Sequence, residues 1–144
     1  MTERSTQPSG MTILNPDTMG DPSRFAFSHV AVVPAGARTV LVAGQVGTGS
    51  PKGTFAEQVG QIFTSIGLAM EAAGGEICDV AKLVVYIVDH DAEKHEVLKA
   101  TVNAAFGDRL APTCTIVPLA RSGLSSDQLV EIEATGVLPP EVLA

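Results

Sequence analysis

The sequence predicts a single α+β domain in which a mixed β-sheet carries two helices packed on one face. Three observations lead there. Apolar residues recur at helical spacing in two segments, short β-rich runs separated by Gly/Pro turns surround them, and 144 residues is the usual size of one domain. In order, the elements read β-β-β-α-β-α-β-β.

Residues 1–11 (MTERSTQPSGM) are polar and rich in Pro, Gly and Ser, which predicts a flexible N-terminal tail before a domain spanning 12–138. Met11 to Pro16 opens the first strand. Residues 15–23 hold two prolines, a glycine and two aspartates and read as a loop. The runs 28–33 (SHVAVV) and 39–46 (TVLVAGQV) read as the two arms of a hairpin turned at Pro34-Ala35-Gly36. Thr54 begins a helix with Glu57 three residues on, the spacing of a capping box. Val59, Ile62, Phe63, Ile66, Met70 and Ala73 follow on one stripe, and Gly74-Gly75 ends it.

Residues 80–88 (VAKLVVYIV) form a nearly unbroken apolar run of strand length and read as a central strand. Asp89-His90-Asp91 is a turn and N-cap for a helix over 92–106. After a loop at 107–112, two strands near 113–118 and 129–134 form a final antiparallel pair joined by 120–128, and Pro139-Pro140 starts a C-terminal tail over 139–144. On the last strand Val130, Ile132 and Ala134 point one way, toward the helices, and Glu131 and Glu133 the other. The uncovered face, with Leu41 and Ile116 among its expected residues, favours an oligomer whose sheets face inward.

Composition narrows the function. The chain is 45% hydrophobic, which fits a folded globule. Its net charge is −7, its nine Lys and Arg are scattered, and it has five Phe, one Tyr and no Trp, so nucleic acid is not an expected partner. No apolar run approaches the length of a membrane span, and the polar N-terminal residues do not read as a secretory signal. Two cysteines, Cys78 and Cys114, are expected as reduced thiols in the cytoplasm. Nothing implies a cofactor. His90 and His95, five residues apart, do not share a helix face at metal-ligand spacing, so no metal site is expected. The 47–53 loop (GTGSPKG) lacks the Gly-Lys-Ser/Thr helix start of a phosphate-binding loop.

Several pieces stand in a recurring order: Val42-Ala43-Gly44-Gln45-Val46-Gly47, the 58–74 helix ending in Ala-Ala-Gly, Asp79-Val80-Ala81-Lys82, Pro112, Ala120-Arg121 and Val130-Glu131-Ile132-Glu133-Ala134. Together they resemble the Rid (YjgF-like) family of small trimeric imine and enamine deaminases, from about Met11 to Val137. The resemblance implies a chorismate-mutase-like homotrimer with a central barrel and small-molecule pockets between subunits. It also implies which residues line them. Gly44 and Glu131 match the family; Ala43 stands for its serine, Phe27 for its early-strand aromatic, and Lys99 for its second-helix asparagine. Cys114 replaces the arginine that grips the substrate carboxylate, and Ile116 stands where the deaminases often have cysteine.

A thiol cannot form a guanidinium's bidentate contact, so 2-aminoacrylate deamination is not expected. The expected activity is hydrolase-like, on a small imine, enamine or carbonyl metabolite, with Glu131 polarising water or exchanging a proton and Cys114 as a possible nucleophile. Cys114 would need a nearby cation (Lys99, Arg121 or His29) to become a thiolate; otherwise it is a small packed side chain. Arg121 is read as a salt bridge between subunits or a substrate contact, Glu133 as structural, and His29 as hydrogen-bonded near Phe27. The alternative is a non-catalytic protein that binds a metabolite or partners another enzyme. Ribonuclease activity, reported for some relatives, fits the acidic surface poorly.

Overall fold

A computed structural model describes residues 1–123 and 125–142. Strands β1 (Glu3–Thr6), β2 (Thr12–Asn15) and β3 (Val30–Val32) form a three-stranded antiparallel sheet in that order. Strands β4 (Arg38–Gln45), β5 (Val80–Val88), β6 (Thr113–Leu119) and β7 (Val130–Leu138) form a second sheet, ordered β4-β7-β5-β6. Helix α1 (Phe55–Ala72) links β4 to β5, and α2 (Ala92–Phe106) links β5 to β6.

The α1 cap forms as the sequence predicts: the Glu57 amide donates to the Thr54 hydroxyl at 3.2 Å, and the Thr54 amide donates to the Glu57 carboxylate at 2.7 Å. Both helices pack on one face of the larger sheet. Val59, Ile62, Ile66 and Met70 of α1 meet Leu83, Val85 and Ile87 of β5 and Ile132 of β7, all at most 1% exposed. Their alternation along β5 leaves Val84, Tyr86 and Val88 on the opposite, uncovered face. Among the described residues no helix is long and apolar enough to cross a membrane.

Four expectations need correction, the briefest being that Ile116, beside buried Val85, faces the helix layer and not the uncovered face. Residues 1–11 contain a paired strand, because the segment has anchors that its composition hides. The Ser9 amide donates to buried Asp79 at 3.0 Å, Arg109 donates to the Thr6 carbonyl at 3.1 Å, and Met11 is fully buried. The 28–33 and 39–46 arms do not pair as a hairpin: β3 pairs with β2, while β4 pairs with β7. The last two strands are not partners either. The α2 crossover lays β6 parallel on β5, and β7 takes β5's other edge antiparallel. The connector expected at 120–128 and the tail expected at 139–144 extend onto Leu124, Leu143 and Ala144, which lie outside the described residues.

Candidate functional site

The larger sheet separates the two residues expected to share the chemistry. In register, Cys114 lies beside Leu83 and Ile116 beside Val85, so both face the helix layer. Glu131 pairs with Tyr86 and Glu133 with Val84, so both carboxylates face the open side. Cys114 and Glu131 are therefore on opposite faces of the sheet.

On the helix side, Cys114 and Ile116 line a cavity of about 200 Å³ with Phe25, Phe27, Leu98 and Val102; Ala26 and His95 complete it. A single parallel bridge, Ser28 to Thr113, and a 3.0 Å hydrogen bond from the Ser28 amide to the Pro112 carbonyl bring the 25–28 segment to the start of β6. Just before it, Ala26 takes a left-handed φ of 55° at the end of a 3-10 turn (Ser23–Phe25). The Phe25 and Phe27 rings stand 6.5 Å apart, and His95 meets Phe25 edge-on at 5.5 Å.

Burial pushes the Cys114 thiol up from 9.0 to about 11. No Lys or Arg lines the cavity. The surroundings are those of a protonated, packed thiol rather than a thiolate. Lys99 is not among the lining residues; the cavity-facing stripe of α2 is His95, Leu98 and Val102. That 95/98/102 spacing is helical and legible in the sequence, whereas the resemblance implies Lys99. His29 touches Phe27 edge-on at 5.3 Å while its Nε2 is 2.7 Å from the Gly20 carbonyl, so it is a hydrogen-bonded neighbour. His90 and His95 do meet, with ring centroids 5.8 Å apart, because His90 precedes the helix and folds back over it. Burial, then the neighbouring His95, lowers the His90 pKa. Among the described residues no group of three His, Cys, Asp or Glu side chains is placed to hold a metal ion.

On the open side, Tyr86, Glu131, Glu133 and Gln128 line a hollow of about 260 Å³. Glu131 is held from two directions. Gln128 Nε2 donates to its Oε2 at 3.1 Å, and its other oxygen rests against Gly44, where any Cβ would collide with the carboxylate. Gly44 lies in a bulge between Val42 and Gln45, so its role here is to leave room for Glu131. Ala43, its neighbour, is exposed.

Gln58 fixes the loop that supplies Gln128. Fully buried, it donates from Nε2 to the Gly53 and Asp127 carbonyls at 3.0 and 2.9 Å and accepts the Leu129 amide at 3.0 Å. The sequence held one clue to this: a polar residue four before Ile62 falls on the buried stripe of α1. Arg121 is exposed, follows β6 and lines an adjoining hollow that shares Gln128 with the first; it forms no salt bridge among the described residues.

The comparisons agree with this architecture. A protein of unknown function of the conserved Rid family, YyfB from Yersinia pestis, is 26% identical with a TM-score of 0.79 over 89% of this chain and 98% of that one. RidA from the Antarctic bacterium Psychrobacter is 29% identical with a TM-score of 0.60, over 69% of this chain and 80% of that one. A member of the YjgF/YER057c/UK114 family from Mycobacterium tuberculosis shares the fold at 23% identity and a TM-score of 0.60, over 89% of this chain and 99% of that one. No curated protein matches. Residues 21–138 match the family model described as Endoribonuclease L-PSP, and the chain belongs to that family, the Rid/YjgF family.

Proposed function

We propose that this protein is a homotrimer with a central barrel and small-molecule pockets between subunits, acting on a small imine, enamine or carbonyl metabolite that carries no carboxylate. One observation supports this most directly. Cys114, which by resemblance stands where the deaminases carry their arginine, lies in a cavity that no Lys or Arg lines. Losing a charge-assisted bidentate contact removes roughly 1.5–3 kcal/mol from carboxylate binding, so 2-aminoacrylate deamination is not the expected reaction.

A pocket between subunits fits the two-faced placement of the residues. Cys114, Phe27 and Ile116 would come from one subunit, and Glu131 and Gly44 from the open face of its neighbour. That open face carries Leu41 at 80% exposure, an apolar surface suited to burial in a barrel. Glu131, oriented by Gln128, would take a proton from water as its oxygen adds to the C=N carbon. It passes that proton to the nitrogen, giving the carbinolamine, and then moves the hydroxyl proton to the nitrogen as the C–N bond breaks, releasing the carbonyl product and the amine. Lys99 and Arg121 have no assigned part in this scheme, and Arg121 remains available for contacts between subunits. The free thiols Cys78 and Cys114 suit a reducing, cytoplasmic setting.

A second reading, a non-catalytic metabolite-binding protein, is favoured by one feature: the thiol in the cavity is held protonated. Glu131→Gln separates the two. Catalysis predicts a fall in imine turnover of about a hundredfold with the trimer intact by sedimentation. Wild-type protein that shows ligand-dependent thermal stabilisation but no turnover across a carboxylate-free imine panel favours the binding reading.

A further inference from the structure

We propose that the cavity beside Cys114 selects an uncharged ligand bearing one aromatic ring. The inference rests on the pocket reading above for its site, and it adds the ligand's shape and charge. An apolar cavity of about 150 Å³ in another protein binds benzene, so about 200 Å³ here suits one ring with a small substituent. Phe25 and Phe27 form one wall, Leu98 and Val102, each 3% exposed, form the floor, and Cys114 and Ile116 close the sheet side. Aromatic walls at these spacings accept a flat ring by offset or edge contact.

Charge selection follows from the chemistry of the same lining. Cys114 in this setting offers only a weak S–H donor, and no carboxylate, Lys or Arg lines the space. His95 supplies the one strong polar group, and its Nε2 is buried without a hydrogen-bond partner. A neutral carbonyl or hydroxyl substituent can satisfy such a nitrogen after a small ring rotation, whereas a carboxylate or ammonium would meet no carboxylate, Lys or Arg in this subunit's lining, and only a protonated His95 or the neighbour's Glu131 could pair with it. The Arg24 guanidinium stacks on Phe25 at 4.8 Å and is not among the lining residues.

Calorimetric titration of the wild-type protein with benzyl alcohol, benzoate and benzylammonium at neutral pH tests this without any variant. Benzyl alcohol should bind at least about tenfold more tightly than either ion. Phe27→Ala should weaken benzyl alcohol at least about fivefold, locating it in this cavity, and Arg24→Ala should leave the order of the three unchanged. Tightest binding of benzoate, lost in Arg24→Ala, would mean that Arg24 replaces the missing clamp and would overturn the proposal. Tightest binding of benzylammonium would show that a cation cage or the neighbour's Glu131 sets the selection and would also overturn the proposal. Benzyl alcohol binding that Phe27→Ala does not change also refutes it. Its failure is separable from that of the catalytic reading. Binding of benzyl alcohol without turnover of any imine keeps this inference and removes catalysis, while turnover of aliphatic imines with no benzyl alcohol binding does the reverse.

Discussion

The cavity beside Cys114 and the hollow above Glu131 lie across one sheet from each other, yet their walls are made of different chemistry. The helix-side cavity is lined by rings, aliphatic groups and a protonated thiol, with His95 as its polar exception. The open-side hollow gathers Tyr86, Glu131, Glu133 and Gln128, and hydrogen bonds reach back from it into the core through Gln58. The contrast has a physical origin. The core-facing side of a sheet must be apolar, so a pocket opening there recognises by shape. Polar groups on the outer side can be aimed, provided something buried holds them.

If the polar side depends on a buried anchor, Gln58→Ala should have the largest effect. It leaves the Leu129 amide and two carbonyls without their partner, and a loss of roughly 3 kcal/mol is expected in urea denaturation. A loss under about 1 kcal/mol would show that the 127–129 loop is held by other contacts. The apolar side makes its own prediction through pH. Burial pushes both Cys114 and Cys78 up to about 11, with Asp79 and Glu76 adding to the rise at Cys78. Between about pH 9 and 11 the unfolded chain ionises its thiols while the folded one keeps its protons. Stability therefore falls as pH rises through that window, on the order of 2 kcal/mol for Cys114, whose rise comes from burial alone. Denaturation midpoints should drop there, and the drop should shrink in Cys114→Ala. Alkylation of Cys114 in the folded protein should likewise reach half its limiting rate near pH 11; a midpoint below 8.5 would reveal an activated thiolate instead.

The sequence showed these two sides unequally. The α1 stripe, its capping box, the β5 run and the Glu131/Glu133 alternation were legible because helical and strand periods repeat along the chain. Strand partners were not. Whether 113–119 pairs with 130–138 or with 80–88 depends on where the α2 crossover returns the chain, and no local pattern records that. The N-terminal strand was hidden because its anchors, Asp79 and Arg109, lie about seventy and a hundred residues away. Cys114 and Glu131 could be named from motifs. Their placement on opposite faces required the register.

Two smaller changes sharpen the comparison on the polar side. Gly44→Ala puts a methyl group where the Glu131 carboxylate rests. Because the end of a flexible side chain can swing away, stability should fall by only about 1 kcal/mol. Glu131 would move from Gln128, and imine turnover should fall by about tenfold or more. Normal turnover in Gly44→Ala would mean that Glu131 tolerates displacement and that the glycine serves only the bulge.

The smallest stability effect, and the most discriminating, belongs to Gln128→Leu. Gln128 is 2% exposed, and its Oε1 is buried with no hydrogen-bond partner while its Nε2 holds Glu131. Replacing the amide by an apolar group of similar size removes an orphaned acceptor along with a useful donor. The two changes offset, and stability should shift by less than about 0.5 kcal/mol in either direction. If the amide's part is to aim Glu131, kcat should still drop about tenfold with KM little changed, since the orientation matters when water attacks rather than when ligand binds. A change in KM alone would place Gln128 against the ligand itself. A loss of several kcal/mol would mark the polar hollow as a structural network, and the division of labour between the two faces would then be one of stability rather than of chemistry.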